Sequence, residues 1–424
     1  MIILLIAGFS NGEIRDHLVF KKSSIFFRTL IRIFKMPSRV GQFRDHAPWV
    51  TNIIRELGKN ENIELHVAGP HIRLAKQIEE FQLHGVYYHM FRSEFSSFAR
   101  LIGNYKIWKH LQRSTHYTKV ILDRVHPDLV ILSGAENPTT SVSILSSDKY
   151  PRLCLCQTVF NDPNIPKGNR QSKLKADMEK DIFNNVNNIG VYCSKHYQLL
   201  KELNYQGHIY RFNYPPANNI QYDPTIKKEY DFVNFALNHG SLKGTQDSIQ
   251  ALALLRNEYP NITLNIVGGV SAELRQELDS LIKRLNVTSN IIFTPLFEQQ
   301  IDLFHHVQKS RFAILPCKND FTSGTMTQSM MLGLPLIVYK TAGTPLYNAD
   351  HECVLIAENG DVNGLYEHMK TLLSIPAKAN ILRENAMQYI NKKNNTNLQN
   401  WEKMVNNFQL IIDDYRNNTS IATE

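Results

Sequence analysis

Residues Asp320–Val338 read DFTSGTMTQSMMLGLPLIV. The apolar run FAIL at Phe312–Leu315 precedes them, and Pro316-Cys317 breaks it. An acid and a small polar loop, TSGT, then lead into an apolar stretch holding Gln328 and into a second apolar run, PLIV. The order is buried strand, loop, buried helix, buried strand, which is the unit of a parallel sheet. Ser323, Gly324 and Thr325 start the helix in this reading, with hydroxyls and free N–H groups at its positive end. Asp320 stands just before it, and Gln328 falls one to two turns inside. The plain alternative is an Asp N-cap followed by a Gln at the edge of the core.

The same alternation extends in both directions. Upstream come MIILLIA, IELHVAG, GVYYHMF, DLVILSG, RLCLCQT, NIGVYCS and HIYRFNY, with amphipathic stretches such as HAPWVTNIIRELGK between several of them. The second half repeats the scheme with DFVNFAL, ITLNIVGG, NIIFTPL, FAILPC, PLIVYK and ECVLIAE. The fold class is therefore α/β, with two doubly wound parallel-sheet domains facing across a cleft. The polar, Pro-bearing segment NYPPANNIQYDPTIKKEY separates the halves. We place the domains at 1–215 and 216–399, with the amphipathic helix of about 400–424 packing back on the first.

Composition is that of a globular chain: 424 residues, 43% hydrophobic and 20% charged, too long for one core. No apolar run approaches the roughly 20 residues that span a bilayer. The opening MIILLIAGFSNG lacks a basic flank and reads as a buried strand rather than a signal peptide. Cys154, Cys156, Cys193, Cys317 and Cys353 are scattered, mostly in or beside apolar runs, as buried free thiols of a reducing compartment are. No Cys/His spacing points to zinc. Through Pro215 there are 29 Lys+Arg and 18 Asp+Glu, a net of +11; the remainder, 18 and 21, nets −3. A basic first half fits an anionic surface or partner. Nucleic acid is set aside, because no reader motif accompanies the charge.

In such sheets ligands bind beyond the carboxyl ends of the strands. After DFVNFAL comes NHGSLKGTQDSIQALALL, where Gly240, Ser241 and Gly244 permit a tight turn and Lys243 sits ahead of a helix. A helix N-terminus with a Lys is an anion site, although Gly-rich turns and surface lysines are common. ITLNIVGG ends at Gly268-Gly269, where backbone can approach a ligand or simply close a turn.

Together these segments resemble glycosyltransferase family 4, of the GT-B fold. The resemblance rests on the Lys243-Gly244 turn leading into IQALALL, on LNIVGG and NIIFTPL, on ILPCKNDFTSGTMTQSMMLGLPLIV, on TAGTP at Thr341–Pro345 and on ENGDVNGLYEHMKTLL. NYPP at Asn213–Pro216 is similar to the family's entry to the linker. It implies a retaining hexosyl- or N-acetylhexosaminyltransferase-like enzyme of bacterial surface polysaccharide synthesis, using a UDP- or GDP-linked donor and a glycan or lipid-linked acceptor. In the family two acids separated by seven residues touch the donor sugar and the ribose; Asp320 and Gln328 fall at those positions. Lys243 and Asp320 are then the catalytic candidates. Asn238, Gly240, Lys243, Gly268, Ser323, Gly324, Thr325 and Gln328 are the donor-binding ones. Gly41, Asp45, His46, Asn161 and Asp162 are the acceptor-side ones, with helix capping the alternative for Asp45.

Several positions depart from the family. Gln328 replaces an acid, Asn238 an Arg five residues before the Lys, and Leu346 the acid of a Gly-Gly-x-Pro-Glu pattern. Phe160 stands where many members have a His. These keep a second class of function in view: a non-catalytic GT-B protein that binds a nucleotide-sugar or supports a partner transferase. No Asp-x-Asp occurs, so neither a metal nor another cofactor is expected.

The segment VFKKSSIFFRTLIRIFKMPSR follows the first strand. As a helix over about 20–36 it carries Phe26, Phe27, Leu30, Ile31, Ile33 and Phe34 on one face and Arg28, Arg32, Lys35 and Arg39 beside it. That pattern suits an interfacial helix on an anionic membrane, and hence a cytoplasmic protein peripheral to the inner membrane face; a core helix is the alternative. At about 1 kcal/mol per cation, changing Arg28, Arg32 and Lys35 to Gln is expected to weaken partitioning onto anionic vesicles about a hundredfold. Co-sedimentation at low salt, with circular dichroism of each variant, checks this. A core helix would instead unfold on Phe27→Ser or Phe34→Ser.

Overall fold

The computed structural model describes residues 1–20, 45–71, 74–93, 104–111, 113–163, 165, 167–217, 221–319, 324–341 and 343–421. The proposed interfacial helix, Gly41, Asp320 and Ser323 lie outside them.

The chain divides into two compact units, Met1–Ala217 with Thr396–Glu424, and Asn218–Asn395. The first holds β1 (Ile2–Ile6), α1 (Gly12–Asp16), α2 (Pro48–Gly58), β2 (Glu64–His71), β3 (Ile78–Leu83), β4 (Val86–Arg92), α3 (Tyr105–Leu111), α4 (Arg113–Val125), β5 (Leu129–Ser133), β6 (Arg152–Leu155), α5 (Arg170–Asn185), β7 (Asn188–Val191), α6 (Ser194–Glu202) and β8 (His208–Arg211). Among the described residues its sheet has eight strands in the order β3-β4-β2-β1-β5-β6-β7-β8. The β1 run is apolar throughout because both faces are covered. Ile3 and Leu5 join one buried cluster with α2, and Leu4 and Ile6 join another with α4 and α5. Alternation of side chains across a pleat requires this of any strand covered on both sides.

β3 is absent from the sequence reading. It runs antiparallel to β4, paired from Ile78 opposite Phe91 to Leu83 opposite Val86. The joining His84 and Gly85 have φ of 50° and 79°. Two central residues with positive φ match a hairpin to the strand twist. The signal was the pair His-Gly between IEEFQL and VYYHMF. Side chains also hold this edge. His66 Nδ1 lies 2.9 Å from His89 Nε2, His89 Nδ1 lies 2.8 Å from Glu80, and Arg124 of α4 donates to both Glu80 oxygens.

The second unit holds β9 (Tyr230–Asn238), α7 (Thr245–Leu255), β10 (Leu264–Gly269), α8 (Ala272–Arg284), β11 (Ile291–Thr294), α9 (Gln300–Val307), β12 (Ser310–Leu315), α10 (Gly324–Met331), β13 (Leu336–Tyr339), β14 (Val354–Ala357) and α11 (Val362–Ser374). Its described strands form a six-stranded sheet ordered β11-β10-β9-β12-β13-β14, with every pairing parallel. The order reverses beside β9, so the ends of β9, β10 and β12 make the ligand-binding position of a doubly wound sheet.

The last helix, α12 (Pro376–Ile421), is 46 residues long. Its early residues Ala379 and Leu382 belong to the core of the second unit. Trp401, Met404, Phe408, Ile411 and Ile412 belong to the core of the first. Among the described residues no helix is long and apolar enough to cross a membrane.

Candidate functional site

The turn after β9 is built by close backbone contact. Gly244 has φ of 66°, and a Cβ there would stand 2.1 Å from Pro316 O. Gly268 has φ of 132°, and a Cβ there would stand 1.8 Å from Ala236 O. Neither position admits a side chain, since both the dihedral and the space forbid it. Between them His239 is buried. Its Nε2 faces Val267 O at 3.0 Å, which can only accept, so Nε2 carries the proton. Nδ1 then accepts from the Thr245 hydroxyl at 2.8 Å. Burial, and Lys243 nearby, hold this imidazole below the usual histidine range against the Val267 carbonyl, so it stays neutral. His239 therefore braces the turn from β9 to the start of α7, with its own N–H donating to Gly269 O at 2.7 Å.

On this base stand the sequence candidates of the turn after β9. Ser241–Lys243 form one 3-10 turn that ends at Gly244. Gly240 and Asn238 are exposed and Lys243 is half-buried. The Asn238 amide lies over the end of β10, where a Cβ on Gly269 would meet its Oδ1 at 2.9 Å. Gly324 and Thr325 open α10, and Gln328 is half-buried in it. Thr344 is engaged internally: its hydroxyl donates to Tyr339 O at 2.9 Å and accepts from Thr341 N–H. Leu346, at the acid position, is exposed.

The sequence reading passed over Asp247, Lys318 and Tyr339. Asp247, in the first turn of α7, is 7% exposed. Its Oδ2 meets Lys318 Nζ at 2.9 Å and the Tyr339 hydroxyl at 2.9 Å. Burial, then the bond to Asp247, raises the Tyr339 phenol. An acid in the first turn reads from sequence as an ordinary helix-dipole residue, so nothing marked it.

In the first unit the acceptor-side candidates are engaged differently from the expectation. Asp45 does not cap α2; Ala47, in the left-handed region, is the N-cap. Asp45 pairs with Arg15 at 2.8 Å, and Arg15 also donates to Ser10. His46 pairs with Ser10 through backbone at 2.9 and 3.2 Å and is exposed. The Asn161 amide spends its hydrogens on Ala176 O and Glu179, 2.9 and 2.8 Å away. Asp162 is buried against Lys195 at 2.5 Å. Asn161 and Asp162 thus hold the loop after β6 onto α5 and α6 rather than presenting free groups to an acceptor. The unforeseen residue is Glu179, fully buried, which accepts from the N–H groups of Phe160 and Asn161 at 2.7 and 2.8 Å. Its partners lie 18 and 19 residues away, beyond any local sequence pattern.

Among the described residues no group of His, Cys, Asp or Glu could hold a metal ion.

Residues 218–389 match the family described as Glycosyl transferases group 1. No curated protein matches the chain. Among solved structures it is similar to sucrose-phosphate synthase from Thermosynechococcus elongatus, at 14% identity, 99% of each chain and a TM-score of 0.61. It is also similar to the E. coli trehalose-6-phosphate protein bound with UDP-2-fluoro glucose, at 10% identity, 96% of this chain, 99% of that one and a TM-score of 0.64. Anabaena HepE in complex with UDP and glucose gives 13% identity, 96% and 100% coverage and a TM-score of 0.59.

Burial pushes the Glu179 carboxyl up to about 7, against the three N–H donors that favour its ionised form. A carboxyl raised above its unfolded value keeps its proton in the fold after the unfolded chain has lost it. Stability is therefore lost as pH rises from the unfolded value towards the folded one. Glu179→Gln does not titrate. The stability advantage of the parent over Glu179→Gln is expected to shrink by about 2–3 kcal/mol between roughly pH 5 and pH 8 in urea unfolding. A constant difference would contradict it.

Proposed function

We propose, from the match of residues 218–389 to the group 1 glycosyltransferases and from the GT-B fold, that the chain moves a hexosyl or N-acetylhexosaminyl group from a UDP- or GDP-linked donor to a glycan or lipid-linked glycan. The reading includes retention at the anomeric carbon, a place in bacterial surface polysaccharide synthesis, and work at the inner face of the cytoplasmic membrane. The observation that carries it is the turn at Ser241–Lys243, which sets a lysine ahead of α7 at the carboxyl end of β9.

A nucleoside diphosphate suits that position. Lys243 offers charge-assisted hydrogen bonds, and the first N–H groups of α7 and α10 offer amide donors. Gln328 and, from sequence, Asp320 and Ser323 offer hydrogen bonds to sugar hydroxyls. In the proposed step the bond from the anomeric carbon to the diphosphate oxygen breaks and that oxygen takes the acceptor hydroxyl's proton. The acceptor oxygen then bonds the carbon on the same face. The protein's part is to stabilise charge on the leaving diphosphate and to position the acceptor. On the acceptor side Asp45, His46 and the sequence candidate Gly41 remain the proposed contacts. Two of the similar structures were solved with UDP-containing ligands, which supports a UDP-linked donor.

A second reading has its own observation. Gln328, Phe160 and Asn238 replace the family's acid, His and Arg, which suits a protein that binds a nucleotide-sugar and supports a partner without transferring it. Transfer to any sugar acceptor, or donor hydrolysis, excludes that reading.

A thermal-shift panel of nucleotide-sugars tests the proposal, since a ligand bound to the native state stabilises it by mass action. Lys243→Ala is expected to weaken the preferred donor by about 1.5–3 kcal/mol, the range of a hydrogen bond to a charged group, with the fold intact. Unchanged affinity would remove Lys243 from the site. Turnover is expected to persist in chelator; loss that magnesium or manganese restores would overturn the metal-free reading.

A further inference from the structure

We propose that Asp247 is a positioning residue for the donor diphosphate: through Lys318 and Tyr339 it fixes the Ser241–Lys243 turn against the end of β12. The inference rests on the donor reading above and assigns a regulator of the lysine's reach.

Three described contacts converge on Lys318, which follows β12. Its ammonium meets Asp247 at 2.9 Å. Its N–H donates to Leu242 O at 2.9 Å, one residue before Lys243. Its carbonyl accepts from Asn359 Nδ2 at 2.8 Å, from the loop after β14. Tyr339, the last residue of β13, adds its hydroxyl to the same Asp247 oxygen. The helix that follows the turn is thus tied by side chain to β13, and the turn itself by backbone to the segment after β12 and by the Gly244–Pro316 approach to the end of that strand.

The charge makes the placement informative. A carboxylate in the first turn of α7 opposes an anion at that N-terminus, because it cancels part of the helix field. A buried ion pair is also weak evidence for stability, since desolvation offsets most of its attraction. An acid here is therefore unfavourable for diphosphate binding by charge, whereas the same helix field favours it in the fold without a ligand. What it supplies is geometry: two donors from two strand ends are drawn onto the helix that Lys243 precedes. Lys318 neutralises the acid where the ligand's charge would otherwise meet it.

The two accounts predict opposite signs. Asp247→Asn keeps shape and the Tyr339 bond but removes the negative charge. By charge alone it would tighten nucleotide binding. Positioning predicts about tenfold weaker binding of UDP or GDP by titration calorimetry, roughly 1.4 kcal/mol. In a Lys243→Ala background the same change is expected to cost less than about twofold, because residues acting as one unit are non-additive. Tyr339→Phe, which alters no charge, is expected to weaken binding in the parent and not in Lys243→Ala, and serves if Asp247→Asn does not fold. Equal or tighter binding by Asp247→Asn, or the same loss in both backgrounds, overturns the proposal while leaving the donor site standing. A parent chain that binds none of UDP, GDP or ADP overturns the donor reading itself, and this inference with it.

Discussion

At the carboxyl ends of β9, β10 and β12 backbone lies directly on backbone, and the second unit's candidate site depends on that contact. Gly244 rests on the carbonyl of Pro316 and Gly268 on that of Ala236, at distances that exclude even a methyl group. Such closeness fixes the turn with little freedom. It sets Lys243 ahead of α7 and brings the Lys318 N–H within reach of Leu242 O. A side chain at Gly244 would push the turn off Pro316 and strain both relations, because a packed interior transmits displacement instead of absorbing it.

Within the two units, buried polar groups are satisfied in three distinct ways. Asp247 is balanced by a cation and a phenol. His239 stays neutral and uses one ring nitrogen as donor and the other as acceptor. In the first unit Glu179 has no cation in its described bonds and instead gathers N–H groups from the loop after β6. The difference explains their titration. Three amide donors do not offset full burial, so the Glu179 carboxyl rises, whereas the imidazole is simply held uncharged. Each group ties a loop at a strand's carboxyl end to a helix, and in both units those loops carry the sequence-predicted contacts.

The apolar runs determined most of the architecture. MIILLIA, DLVILSG, ITLNIVGG and FAILPC are strands because a run apolar on both faces has to be covered on both faces, and parallel βαβ units do that. The Lys243-Gly244 turn and the helix opened by Gly324 were legible for a related reason: glycine, lysine and small hydroxyl residues between a strand and a helix leave few other structures open. β3 was not legible as a strand, since its alternation IEEFQL is half exposed and its identity comes from pairing with β4.

Only the tertiary structure decided what the polar residues do. Asn161 and Asp162 looked available in sequence and are instead bonded to α5 and α6. Asp45, a candidate cap or contact, answers Arg15. Asp247 looked like a helix-start acid and joins two strand ends. Hydrophobic periodicity is a local property, readable within one element, whereas a hydrogen bond or ion pair is settled by whatever partner the fold brings up. For Asp247 and Tyr339 that partner is 92 residues away. Sequence therefore determined which segments are buried and where the turns lie; the fold determined which side chains are consumed holding it together and which remain for a ligand.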